Sequence, residues 1–438
     1  MTIWQANPRA LSLAVLCMSV LPNVWADTEH YNNLLIGDRA AGLGGAYTAV
    51  SDDPSGLYYN PAGVVYASEA EVSASGNAYQ GVSKTYSNLN DSDFEWNRFS
   101  GGMVANYFGV FKPVGPGVAG FSIAIPDYVL ENQNDMFDEV RVASDPAKEY
   151  TGWHVDHNDE DTTTNMGPSY AIEWSDDLSV GITLYAHMRK KEMIHSEEVY
   201  LRDKDTPTNT GFSWTRTHVQ TSEFGIRPLL GIMWAPMEKW SVGLTGSFTE
   251  ILAQTRERKS CGINNATAAK DGENTVITLV AMTDVSIPET SGGSCTFVQQ
   301  ADRTLPVQVT AGVAYFASDS LMVTGDFSFY GATNERESTW NTAVGAEYFL
   351  DSVWGLRGGF YTNNANTKEI SSTASLREHV DLFGVAFSVS RHAKDSSMTA
   401  GVNYALGSGQ AVTSPGSNRI QDLSINAFSV FISTSTSL

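Results

Sequence analysis

Residues 178–189 read Leu-Ser-Val-Gly-Ile-Thr-Leu-Tyr-Ala-His-Met-Arg. In an extended chain Val180, Ile182, Leu184, Ala186 and Met188 share one face. Gly181, Thr183, Tyr185, His187 and Arg189 share the other. Strict alternation over this length marks a strand between two unlike environments. The same reading sets Phe224, Ile226, Leu230, Ile232 and Trp234 against Gly225, Arg227 and Gly231. It also sets Val242, Leu244 and Phe248 against Gly243, Thr245, Ser247 and Thr249.

Outward from these segments, the chain after Glu69 resolves into about fourteen short amphipathic strands. Their connectors are alternately tiny and long. The tiny ones are 112–116, 175–177, 236–239, 318–320, 351–353 and 392–396. The long ones cover roughly 79–98, 126–163, 190–222, 253–304, 331–339, 363–378 and 407–422. Strands of about ten residues, with short turns on one rim and long loops on the other, describe an outer-membrane barrel. A soluble sandwich or propeller also has many short strands, but it does not predict alternating connectors beside a leader segment and long polar loops. The expectation is an all-β, 14-stranded antiparallel transmembrane β-barrel, with lipid on the apolar face and the lumen on the polar one. Trp174, Trp234, Trp240, Trp340 and Trp354 near strand ends suit interfacial girdles.

The 438 residues contain 42% hydrophobic residues, 38 Gly and a formal charge of -22. One closed sheet can use a chain of this length, because strands and loops consume residues without building a thick core. Such an acidic balance argues against nucleic-acid binding, which needs a basic surface. The acids Asp156, Asp159, Glu160 and Asp161 fall in a long connector and read as solvated. Bridging to lipopolysaccharide through divalent cations is the alternative. Arg9, the apolar run 11–24 and Val24-Trp25-Ala26 form a secretory leader, so 1–26 is read as a signal peptide and left out of the fold. Leu16 is too large for the position before a lipoprotein acceptor at Cys17. The remaining cysteines, Cys261 and Cys295, fall in the longest connector. An even pair in an oxidising compartment suggests a disulfide, worth roughly 3–4 kcal/mol in the chain-entropy model.

Residues 27–68 do not alternate. A small, Gly-rich run from Gly37 to Val50 is followed by Ser51-Asp52-Asp53-Pro54-Ser55-Gly56-Leu57-Tyr58-Tyr59-Asn60-Pro61-Ala62-Gly63. Asp and Ser around Pro54 suit a short helix, and Asn60-Pro61-Ala62-Gly63 reads as a turn into the first strand. Gly42-Leu43-Gly44-Gly45 has neither dinucleotide nor Walker spacing and no βαβ unit around it. Some forty residues of this kind ahead of a wide barrel can pack in its lumen as a plug.

Asp53, Ser55, Tyr58, Tyr59, Asn60, Pro61, Ala62 and Gly63 resemble the N-terminal hatch of the FadL family of outer-membrane transporters. Those proteins carry long-chain fatty acids and other hydrophobic compounds. The motif covers about 25 residues, and the strand topology extends the likeness over 69–438. PorV-type barrels, which serve a secretion system, share the motif. The resemblance implies a monomer in the outer membrane of a Gram-negative bacterium, in contact with lipid and lipopolysaccharide. It would take up a hydrophobic small molecule by way of external loops, a lumen site against the hatch, and hatch movement or wall opening. A PorV-like barrel binding a protein partner, or a general diffusion pore, are the other readings. The C-terminus, Thr434-Ser435-Thr436-Ser437-Leu438, lacks the terminal aromatic common in such barrels, although Phe428 and Phe431 lie upstream.

The chain has no Gly-x-Ser-x-Gly elbow and no His-Glu-x-x-His, so enzymatic activity is not expected. His187, His195 and His218 have possible partners but no serine placed by motif. His154 and His157 with Asp156 and Asp159 offer metal-ligand chemistry, but residues of this kind in an acidic loop are read as solvated. No metal and no cofactor are expected. Arg189 and Arg227 fall on the inward face near the outer rim, where two guanidiniums can receive a carboxylate. Pairing with loop acids is the competing role. Finally, a symmetric turn centred on Ser352 places Glu347 opposite Arg357, both facing the lumen.

Overall fold

The computed structural model describes residues 29–31, 33–67, 69–88, 95–137, 140–141, 148–203, 210–271, 274–280, 294–299, 303–334, 336–370, 377–412 and 420–438. The leader expected at 1–26 lies outside these residues. All strands belong to one antiparallel sheet. Fourteen of them form its closed wall. In chain order they are β1 Glu71–Ser87, β2 Trp96–Val114, β3 Gly117–Phe137, β4 Lys148–Ser175, β5 Leu178–Asp203, β6 Thr210–Met237 and β7 Trp240–Ser247. The second half comprises β8 Gln308–Ser318, β9 Leu321–Tyr330, β10 Thr339–Phe349, β11 Trp354–Asn363, β12 Arg377–His392, β13 Ser396–Val412 and β14 Gln421–Ser437. Closure is direct: β1 pairs with β14 from Glu71↔Ser437 to Ser87↔Asp422, and with β2 on its other side. A closed ring leaves no unpaired edge, the condition a sheet must meet inside a bilayer. Among the described residues no helix is long and apolar enough to cross a membrane.

The wall is inside-out relative to a soluble protein. Leu230 is 58% exposed and Val385 53%, on the outer surface. Ser179, Thr183, Thr245, Thr324, Ser388 and Ser390 are buried on the inner one. A continuous apolar belt of this extent has lipid as its solvent. The short connectors lie where the alternation put them. Gly115, in the β2–β3 turn, takes φ 62°, a conformation that favours glycine.

Most of the long connectors need correction. Much of 126–163 and 190–222 is not loop but continued ladder. β4 and β6 each run 28 residues, far beyond the ten or so that cross lipid. Over Asp156 to Thr164, above the apolar belt, both faces of β4 carry polar side chains. The hydrophobic period vanishes there while the backbone pairing continues, and so Asp156 to Thr164 looks like loop in the sequence. Within 253–304, Glu250–Asp271 carries the wall outward along β6. Ser294–Gln299 folds back on it, with Cys295 opposite Cys261. Cys261 is disulfide-bonded.

Residues 29–31 and 33–67 lie against the inner face of the wall, which they meet through Leu43, Thr48, Leu57, Asn60 and Ala62. They contain two single-turn helices, α1 Arg39–Gly42 and α2 Gly56–Tyr59, and a 3-10 turn Pro61–Tyr66. The local chemistry is that of turns. Asp53 Oδ1 accepts from the Ser55 N–H at 2.8 Å and also from the Ser55 hydroxyl. Asn60 Oδ1 accepts from Ala62 N at 3.1 Å, with Pro61 opening the 3-10 turn where its missing N–H does no harm. Gly42-Leu43-Gly44-Gly45 is a turn in which Gly44 and Gly45 both have positive φ.

Candidate functional site

Three features fix the inner segment to the wall. The first is a shelf of wall glycines. A Cβ added at Gly181 of β5 would lie 2.6 Å from Ala62 N. At Gly231 it would overlap Asn60 Oδ1, at Gly243 Thr48 O, and at Gly359 the backbone of Leu43. Bare backbone on successive strands gives the segment a flat berth that any side chain would obstruct. The second feature is polar stitching. Asn60 Nδ2 donates to Thr48 O at 2.8 Å within the segment and to Ile232 O of β6 at 3.0 Å. Thr183 and Tyr185 of β5 both donate to Leu57 O, at 2.9 and 3.1 Å. Asp326 Oδ2 of β9 accepts from the N–H groups of Tyr47 and Thr48, each at 2.9 Å.

The third feature is a buried ion network. Glu347 of β10 and Arg357 of β11 are directly paired in the ladder. Arg357 Nε lies 2.6 Å from Glu347 Oε1, and both side chains are 1% exposed. Arg39 of α1 then donates from Nη2 to Glu347 Oε2 at 2.6 Å, and its Nη1 pairs with Asp52. Asp38 Oδ1 stands 3.7 Å from Arg357 Nη1. The wall carboxylate therefore sits between one cation of the wall and one of the inner segment.

Above the segment is a cavity of about 160 Å³. Its lining includes Leu34, Tyr58, Asn165, His187, Arg227 and Leu229. This volume is comparable to cavities that admit benzene, roughly 150 Å³. Four lining residues, Tyr31, His187, Arg227 and Asp326, keep a buried polar atom without a hydrogen-bond partner. Arg227 Nη2 donates to Ser247 Oγ at 3.2 Å and Gln308 Oε1 at 3.1 Å, while Nη1 is buried without a hydrogen-bond partner. No carboxylate pairs with Arg227 among the described residues, and its guanidinium lies 5.7 Å over the Tyr58 ring. His187 contacts Asn165 Oδ1 through Nδ1 at 2.9 Å, leaving Nε2 buried and unpartnered.

Arg189 is placed differently from Arg227. It pairs with Asp161 at 2.5 Å and Glu223 at 3.2 Å, and Arg303 also holds Glu223, at 3.0 Å. The two arginines do not converge on one site: Arg189 is already matched by acids and Arg227 is open. His154 and His157 also diverge, because alternation puts them on opposite faces of β4. Among the described residues no group of three or more His, Cys, Asp or Glu is placed to hold a metal ion.

Beside the cavity, the wall has a seam. The β2–β3 ladder runs from Val114↔Gly117 to Tyr107↔Ala124 and stops. Beyond it β2 continues along β1, and β3 along β4 after an irregularity between Ala124 and Asp127. Pro126 sits in that irregularity and cannot donate to a ladder. Farther out, among the described residues, side chains tie the two strands, as in Gln133 Nε2 to Phe99 O at 2.8 Å and Trp96 Nε1 to Asp135 at 2.8 Å.

No protein-family model and no curated protein sequence matches the chain. Solved structures do. A Pseudomonas aeruginosa FadL homologue matches with TM-score 0.59 at 11% identity, over 93% of this chain and 99% of that one. The Pseudomonas putida toluene transporter TodX matches with TM-score 0.59 at 10% identity, over 94% and 99%. The CymD monoaromatic hydrocarbon channel matches with TM-score 0.55 at 12% identity, over 92% and 98%. The chain has the FadL fold.

In a FadL fold built from this sequence, the groups that sequence reasoning missed are those with partners distant in the chain. Arg39 gave no local sign of its role, because Glu347 lies 308 residues away. Asn165 and Asp326 look like ordinary inward polar residues. The glycine shelf did leave a signal: Gly181, Gly231 and Gly243 interrupt the polar faces of consecutive strands. Only the fold, however, says what approaches them.

Proposed function

We propose that the protein is an outer-membrane transporter of a Gram-negative bacterium that takes up hydrophobic small molecules carrying a carboxylate or similar acceptor-rich end. The observation that carries this reading is the cavity between inner segment and wall, apolar along Leu34 and Leu229, with the Arg227 Nη1 donor left unpartnered at it. A buried donor without an acceptor is costly, and a ligand oxygen removes that cost. The toluene and monoaromatic channels of the same fold lend support to a hydrophobic cargo. Arg189 belongs to the scaffold in this reading, and Arg227 is the ligand contact. The motif from Asp53 to Gly63 forms the plug beneath the ligand. The β2–β3 seam is the exit toward the bilayer, since the ladder there has no backbone bonds to break. A general diffusion pore is disfavoured by the filled lumen.

The test is ligand binding by the purified barrel, paired with uptake in a strain lacking the gene. Arg227→Gln should weaken binding of a long-chain fatty acid by roughly tenfold or more, the worth of one charged hydrogen bond. Affinity for an alkane or alkylbenzene of similar size should change little. Equal losses for both ligands would remove Arg227 from the site.

A further inference from the structure

The outer extensions of β4 and β5 carry a histidine pair that the transport reading does not use. His157 and His195 are directly opposed in the ladder and face inward. Their Nδ1 atoms are 3.3 Å apart and their ring centroids 5.3 Å. They lie well beyond Leu184, the last exposed aliphatic residue of β5, and so outside the lipid belt.

We propose that this pair is a binding site for a divalent transition-metal ion, Zn²⁺ or a borderline relative, which joins β4 to β5 above the membrane. Two observations favour it. Two metal–nitrogen bonds of about 2.05 Å at a tetrahedral angle span about 3.3 Å, the separation these atoms already have. Glu131 Oε2 lies 3.5 Å from His157 Nε2. A carboxylate behind the distal ring nitrogen holds the proton there and turns the Nδ1 lone pair toward the ion, as outer-shell carboxylates do at histidine metal sites. The two histidines are the protein ligands, and water completes the shell, because no third ligand is placed there among the described residues. The neighbouring cations do not leave the site positively charged. Arg98 pairs with Glu131, Lys191 with Asp159 and Asp161, and Lys84 with Glu378. Nitrogen ligands select Zn²⁺, Ni²⁺ or Cu²⁺ over Ca²⁺ and Mg²⁺. The consequence is local: Trp153, four residues before His157, donates to Glu197 across the same two strands at 2.8 Å. A metal staple would add to that tie at the aromatic cluster near the outer mouth.

The experiment is calorimetric titration of the metal-stripped, detergent-purified barrel with ZnCl₂ at neutral pH. Saturable binding is expected, weakened in His157→Ala and in His195→Ala by at least the ~10–100-fold that loss of an outer-shell partner costs. His154→Ala, on the opposite face, should bind as the unaltered protein does. Heat-modifiable gel migration checks that each variant folds. Copper(II) electron paramagnetic resonance on the unaltered protein reads bound imidazole nitrogen without any substitution. Absence of saturable binding, binding indifferent to both histidine substitutions, or a copper spectrum without imidazole nitrogen would each overturn the site.

Discussion

Deleting residues 30–60 should convert the barrel from a closed wall into an open pore. The wall does not depend on the inner segment for its backbone bonds. Each strand from β1 to β14 is paired on both sides by other strands, and β1 with β14 completes the ring. The segment instead contributes side-chain and carbonyl contacts, such as Asn60 to Ile232 O and the Leu57 carbonyl to Thr183 and Tyr185. Without it, Ser179, Thr183, Thr245 and Ser390 would line a polar lumen open to water. Glu347 and Arg357 would still neutralise one another. Conductance in planar bilayers should rise from leakage to that of a water-filled porin, while the deleted protein keeps the heat-modifiable migration of a folded barrel. Conductance unchanged from the full chain would show that the segment does not plug. Gly231→Val should act in the same direction less severely, because its side chain would meet Asn60.

The sequence showed the wall where lipid imposes a period and lost it where lipid ends. Val180 to Arg189 alternates because one face meets hydrocarbon and the other the lumen. Asp156 to Thr164 has no such contrast and was read as loop, yet it pairs along its whole length with β3 or β5. The tight turns were legible because they combine shortness with polar residues. Glu347 and Arg357 were legible together because a short turn fixes register over the next few residues. Nothing comparable fixes a pair such as Arg39 and Glu347. Likewise, Arg189 and Arg227 look equivalent by alternation. The acids that neutralise Arg189, Asp161 and Glu223, come from the two strands flanking β5, and their approach depends on ladder that the sequence did not reveal. Open and occupied arginines differ in their partners, and partners are tertiary information.

Glu347→Ala should be the most destabilising single substitution in the ion network. The carboxylate is 1% exposed and holds Arg357 and Arg39 at 2.6 Å each. Its removal leaves a guanidinium buried in the wall, with only Asp38 at 3.7 Å and Ser390 to satisfy it. Breaking a buried pair by taking one partner away typically costs about 3–5 kcal/mol, since the surviving charge stays desolvated. Arg39→Ala should cost less, because Glu347 and Arg357 remain matched and Arg39 is 20% exposed. The two variants therefore separate two roles. If the network holds the wall, Glu347→Ala lowers the urea midpoint of unfolding strongly and Arg39→Ala only slightly. If it also clamps the inner segment, Arg39→Ala raises conductance or protease access to residues 30–60 while that midpoint stays near the original. Should Arg39→Ala leave conductance and proteolysis unchanged, the link from Arg39 to Glu347 is charge neutralisation alone, and the glycine shelf and Asn60 must hold the segment without it.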